Sequence, residues 1–168
     1  MSTDMQQVWL EAFEKENKTV RELARTHNVP ELEVLQALQG KDEITLLDKA
    51  RIRPLLDDLA TMGTTLVIVE NQGSIFEMKC AFPQGSEGFG YYNLKIEGEC
   101  GLGGHVDIEH IAYGAVTTEM FFNKESKAWW FIHESGNVVF KVYVGRNEDG
   151  SFKQEHLALF DKWAAKVA

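Results

Sequence analysis

A chain of 168 residues with 44% hydrophobic and 26% charged side chains has the size and composition of one globular domain, able to bury roughly two-thirds of the surface it exposes when unfolded. Its formal charge is −9, from 26 acidic against 17 basic residues, and no stretch gathers Lys and Arg. Partners gripped through phosphates, nucleic acid and anionic membrane alike, are therefore poor fits.

The first sixty residues carry the period of short helices. Val8, Trp9, Ala12 and Phe13 recur at helical spacing within Met5 to Lys15. Thr19, with Glu22 three residues on, has the form of a capping box for a second helix that Asn28 ends, and Val20, Leu23 and Ala24 form its buried stripe. A third helix is expected from Pro30 through Val34, Leu35 and Leu38 to Gly40. Pro54 is expected to open a fourth, with Leu55, Leu56, Leu59 and Met62 inward and Gly63 as its stop.

After Gly63 the period falls from 3.6 to 2, and strands are expected. Thr64–Glu70 is β-branched and apolar, Asn71-Gln72-Gly73 is a turn, and in Ser74–Phe82 the residues Phe76, Met78, Cys80 and Phe82 form a core face against Glu77 and Lys79. A Gly-rich loop over Gln84–Gly90 leads to a strand at Tyr91–Ile96, and a second loop over Glu97–Gly104 leads to two strand-like runs across His105–Val116. Further strands are expected at Glu119–Asn123, Ala128–Glu134 and Val138–Gly145, joined by Lys124-Glu125-Ser126 and Ser135-Gly136-Asn137. A final helix from about Gln154 turns Leu157, Phe160, Trp163, Ala164 and Val167 to one side and Glu155, Asp161, Lys162 and Lys166 to the other. The predicted fold class is α+β: a helical preface over 1–62, then a mostly antiparallel sheet with a C-terminal helix over 63–168, in a single domain.

The polar opening Met1-Ser2-Thr3-Asp4 lacks the basic and apolar regions of a secretory signal, and no apolar run approaches the ~20 residues of a membrane span. A cytoplasmic protein is expected, with Cys80 and Cys100 as reduced thiols lacking C-x-x-C spacing. Thr19–Leu38 has the outline of a helix-turn-helix, but its second helix exposes Glu31, Glu33 and Gln36, which would repel a phosphate backbone. The five histidines offer no i, i+4 pair for zinc. His27 and His156 read as surface residues of helices, His133 as a hairpin residue and His110 as a sheet histidine. Phosphate-loop and nucleophile-elbow motifs are absent.

Two residues stand apart. His105 follows Gly101-Leu102-Gly103-Gly104 and opens a strand whose apolar side is Val106 and Ile108, so its imidazole points with Asp107 away from that core. In Tyr91–Ile96, Tyr92, Leu94 and Ile96 share the core side. Tyr91, Asn93 and Lys95 share the other, leaving an accessible phenol able to ligate ferric iron.

Four stretches, in order, resemble the cytosolic haem-utilisation carriers of the ChuX/HutX group: Gly90-Tyr91-Tyr92-Asn93-Leu94, Gly101-Leu102-Gly103-Gly104-His105-Val106, Phe121-Phe122-Asn123-Lys124-Glu125 and Val142-Tyr143-Val144-Gly145-Arg146. The resemblance implies a non-enzymatic intracellular carrier that binds haem non-covalently and passes it to a downstream haem-handling protein. It implies a homodimer whose subunit is similar to one half of two-repeat haem-handling proteins, and apolar Ala128–Ile132 is a stretch that a lone small sheet would leave exposed. Carried over by position, Tyr91 and His105 are the candidate iron ligands, with the choice between them open; Lys95 and Arg146 are candidates to meet the haem propionates, with a solvated surface role as the alternative for both. Ile68 stands where some members have a further histidine, which places a bis-histidine scheme in doubt. The alternative function is a haem-modifying or haem-degrading enzyme.

Overall fold

The computed structural model describes residues 3–96 and 101–165; Cys100, Lys166 and Val167 lie outside these. Capping chemistry sets the helical start. Helix α1 (Thr3–Glu16) buries Trp9. Helix α2 (Val20–His27) opens on the expected capping box: the Thr19 hydroxyl accepts from the Glu22 amide, and the Glu22 carboxylate accepts from the Thr19 amide at 2.8 Å. Asn28, left-handed at φ 53°, closes it. Pro30 sits in extended backbone immediately before α3 (Glu31–Ala37).

Two features between residues 41 and 62 depart from sequence expectation. Ile44–Asp48 is a strand, β1, and α4 runs over Lys49–Leu59, so that Pro54 lies inside the helix and does not open it. A proline there removes the bond to the Ala50 carbonyl and costs about 3 kcal/mol. Ile52, Leu55, Leu56 and Leu59 are all buried on the same helix, and at roughly 1.5–3 kcal/mol each their burial outweighs that cost.

The remaining strands are β2 (Thr64–Asn71), β3 (Ser74–Ala81), β4 (Gly85–Gly88), β5 (Tyr91–Leu94), β6 (Gly104–Val106), β7 (Ile111–Phe121), β8 (Lys124–His133) and β9 (Val138–Tyr143); α5 spans Gln154–Ala164. Six of them form one antiparallel sheet in the order β1-β7-β8-β9-β2-β3, and β4-β5-β6 form a second, smaller one. The β7–β8 hairpin turns at Phe122-Asn123, both left-handed (φ 47° and 59°), and not at Lys124-Glu125-Ser126. A two-residue turn of that hand matches the twist of its strands, so β7 continues through Glu119 and β8 begins at Lys124.

Helices α1–α3 cover one face of the large sheet, closing a core around Trp9, Leu35, Leu38, Ile44 and Trp130. The other face packs Trp129, Phe131 and Phe140 against α4, α5 and Tyr92 of the small sheet. Trp129 and Trp130 thus enter opposite cores. Ala128–Ile132 is buried throughout within one subunit, so it is not an apolar surface awaiting a partner.

Side-chain placements correct the sequence reading at Ile96, Phe76, His156 and His27. Ile96 is 66% exposed and lies past the end of β5, not on its core side. Phe76 is 60% exposed on β3, the edge strand of the large sheet. His156 is fully buried: Nδ1 accepts from the Gly145 amide at 2.9 Å, leaving Nε2 to donate to the Met62 carbonyl at 2.8 Å. One tautomer satisfies both contacts, and the imidazole ties α5 to the ends of β9 and α4. His27 is half-buried, edge-on to Trp9 at 5.6 Å.

Candidate functional site

The small sheet is where the two singled-out residues meet. Its β4–β5 hairpin turns through Phe89 (φ 56°) and Gly90 (φ 81°). Left-handed backbone suits the glycine and strains the phenylalanine, whose ring is fully exposed at the tip. Gly85 is required by packing. A Cβ there would come within 2.3 Å of the Tyr92 ring.

Tyr92 points into the core, as its alternation requires. Its hydroxyl donates to Asp57 Oδ1 and accepts from the Gly85 amide, both at 3.1 Å, beneath the Arg53 guanidinium. Burial, foremost, pushes this phenol above its ordinary pKa. Tyr91, one residue earlier, is 42% exposed, and its hydroxyl makes no hydrogen bond among the described residues. The two adjacent phenols therefore divide cleanly, one committed to the fold and one free.

Strand β6 pairs with β5 so that Asn93 lies opposite His105 and Tyr92 opposite Val106. Pairing of that register puts Tyr91, Asn93 and His105 on one face of the small sheet and Tyr92 and Val106 on the other. The Tyr91 and His105 rings are edge-to-face at 5.8 Å. His105 Nδ1 lies 2.6 Å from Asn93 Oδ1. Lys95 follows the last residue of β5 and is exposed.

Beside Tyr91 opens a cavity of about 580 Å³ lined by Lys49, Arg53, Glu87, Gly90, Ile108 and Glu109 among others, within the roughly 300–1,000 Å³ of small-molecule sites. Lys49 and Arg53 share one side of α4 through their i, i+4 spacing. Arg53 is partly committed: Nε meets Asp57 at 3.1 Å and Nη1 meets Glu87. The Lys49 ammonium donates to the Glu109 carbonyl and has no carboxylate partner among the described residues. Neither cation was singled out from sequence, because a helix begun at Pro54 leaves both outside it; the i, i+4 basic pair after Asp48 was the available signal.

The structure does not bring Arg146 to this place. Its guanidinium bonds the carbonyls of Gly150 (2.7 Å) and Glu125 and covers the Phe152 ring at 4.0 Å. Glu125 faces Met120 near the far end of β7, whereas the cavity lies beside Glu109, just before β7 begins. At ~3.3 Å per residue the strand between them spans roughly 30 Å.

Next to the cavity, His110 is exposed with Nδ1 2.9 Å from Asp107, and its ring stacks on His133 at 6.0 Å. The Asp107 hydrogen bond, then its charge, holds the His110 pKa above the usual histidine value. Among the described residues no three His, Cys, Asp or Glu side chains converge as a cage for a bare metal ion. Donors arranged as here fit an iron that brings its own equatorial ligands and asks the protein for an axial one.

Residues 45–163 match the haem utilisation ChuX/HutX family. This chain belongs to that family. The intracellular heme transport protein HutX of Vibrio cholerae is 34% identical to it over 139 residues, covering 82% of this chain and 70% of that one. The heme binding protein ChuX superposes with a TM-score of 0.81 at 21% identity, covering 95% of this chain and 96% of ChuX. The Escherichia coli O157:H7 heme degrading enzyme ChuS superposes with a TM-score of 0.71 at 20% identity, over 94% of this chain but 45% of ChuS. The ChuX/HutX subunit fold is thus one half of the longer ChuS fold.

Proposed function

We propose that this chain binds haem non-covalently at the face of the small sheet that carries Tyr91 and His105. In this role it is an intracellular carrier, working as a homodimer, that accepts imported haem and passes it to a downstream haem-handling protein. The observation that carries this reading is the β5–β6 register, which sets an imidazole beside an uncommitted phenol that itself lines a cavity. Either group can serve as a ligand to ferric iron; in this reading Tyr91 is the principal one and His105 faces the haem beside it. An exposed site of few contacts suits a protein that must release its cargo.

Lys49 is the better placed cation for a propionate, with Arg53 behind it and Lys95 at the end of β5. The HutX relative, an intracellular heme transport protein, supports the carrier role. No helix among the described residues is long and apolar enough to cross a membrane.

The half-fold likeness to ChuS, a heme degrading enzyme, favours haem breakdown as a second reading. One experiment separates the two. The haem complex is given reductant and oxygen while the Soret band is followed: a carrier keeps the band, and an enzyme loses it to an open-chain product.

A further inference from the structure

We propose that Asn93 is a positioning residue that fixes the tautomer of His105 and thereby presents Nε2 as the free lone pair of the site. The inference rests on the reading that His105 faces the haem. Its structural basis is independent of haem.

The amide of Asn93 has an assigned direction. Nδ2 lies 3.2 Å from the Ser86 carbonyl, 3.1 Å from the Gly88 carbonyl and 3.4 Å from the Tyr91 carbonyl. Carbonyl oxygens only accept, so three of them gathered at one end demand the NH2 group there. The other end is then an oxygen, and it sits 2.6 Å from His105 Nδ1. An acceptor at that distance requires Nδ1 to carry the proton, which leaves Nε2 unprotonated in the neutral ring. Nε2 makes no hydrogen bond among the described residues. The hairpin backbone thus orients the amide, the amide orients the imidazole, and the imidazole offers a single acceptor on the face shared with Tyr91. Metal-binding histidines are tuned by such outer partners, whose loss costs roughly 10–100-fold in affinity.

Two variants divide this role from mere support of the hairpin. Asn93→Ala removes both the carbonyl contacts and the acceptor. Asn93→Asp removes the amide donors but keeps an oxygen for Nδ1–H. The first readout is proton–nitrogen correlation NMR of the His105 ring in the haem-free protein, at a pH where the ring is neutral. The expected result is the Nδ1–H form in the parent and in Asn93→Asp, with a shift toward the Nε2–H form in Asn93→Ala. An Nε2–H parent, or an unchanged ring in Asn93→Ala, overturns the proposal.

The second readout is haem titration of the same three proteins, with circular dichroism and melting to confirm that each is folded. Asn93→Ala is expected to bind about tenfold more weakly, and Asn93→Asp within about threefold of the parent. Equal losses in both variants would assign Asn93 to hairpin bracing and overturn the tautomer role in binding. A parent that binds no haem would sink the functional reading while leaving the NMR result to decide the tautomer.

Discussion

Adjacent side chains at the site are held in different chemical states by their partners. The Asp107 hydrogen bond and charge raise the His110 pKa, and the same contact lowers that of Asp107. A raised folded value means that the folded chain holds this proton more tightly than the unfolded one. The resulting stabilisation is fully present below the ordinary histidine pKa of about 6.5 and is lost as pH rises through the folded value. Asp107→Asn should bring the His110 midpoint, followed by NMR titration of its ring protons, back to the ordinary range; an unchanged midpoint would contradict this account.

At this scale the sequence was informative wherever alternation decides a direction. Tyr92 inward and Tyr91 outward follows from period 2 alone, and so does the side taken by His105. What alternation cannot supply is contact across strands. Nothing in the run Tyr91–Leu94 indicates that Asn93 will stand opposite His105, and nothing around Arg146 indicates that its guanidinium is spent on Gly150 and Glu125.

Among the elements, α4 is the most instructive. Pro54 is a strong helix-start signal, yet the chain has already been helical since Lys49 because the apolar stripe from Ile52 to Leu59 packs against the large sheet. Tertiary burial overrides the local rule, and with it go the preceding strand β1 and the two cations on the cavity side. Pro54 is exposed, so Pro54→Ala restores a backbone bond to Ala50 without disturbing the core. The expected gain is about 1–2 kcal/mol, the helix cost of proline less the entropy it removes from the unfolded chain. Denaturant unfolding measures it, and a loss of stability would show that α4 needs the kink. The hairpin at Phe122-Asn123 teaches the same lesson in reverse. Its turn residues carry a left-handed conformation that phenylalanine rarely adopts, so polar Lys124-Glu125-Ser126 looked the better turn.

For the whole molecule, the order of helices, strands and a last helix was legible because the change of period at Gly63 is unmistakable, and the four-stretch resemblance agrees with the ChuX/HutX match over 45–163. The oligomeric state was not legible in the same way. Ala128–Ile132 is core, and the large apolar side chains that remain exposed are others, among them Phe76, Phe89, Phe121 and Phe122. The proposed homodimer is tested by sedimentation at micromolar concentration, which should find it. A monomer alone would contradict it.

The central claim, that haem binds at the face of the small sheet through Tyr91, is tested most directly by optical titration of the haem-free protein beside Tyr91→Phe and Tyr92→Phe. The expected result is a Soret shift saturating near one haem per subunit, with a phenolate-to-iron charge-transfer band that Tyr91→Phe abolishes along with most of the affinity and that Tyr92→Phe, a packing change, retains. A parent that shows no shift, or a Tyr91→Phe protein with the parent's spectrum and affinity, would contradict it.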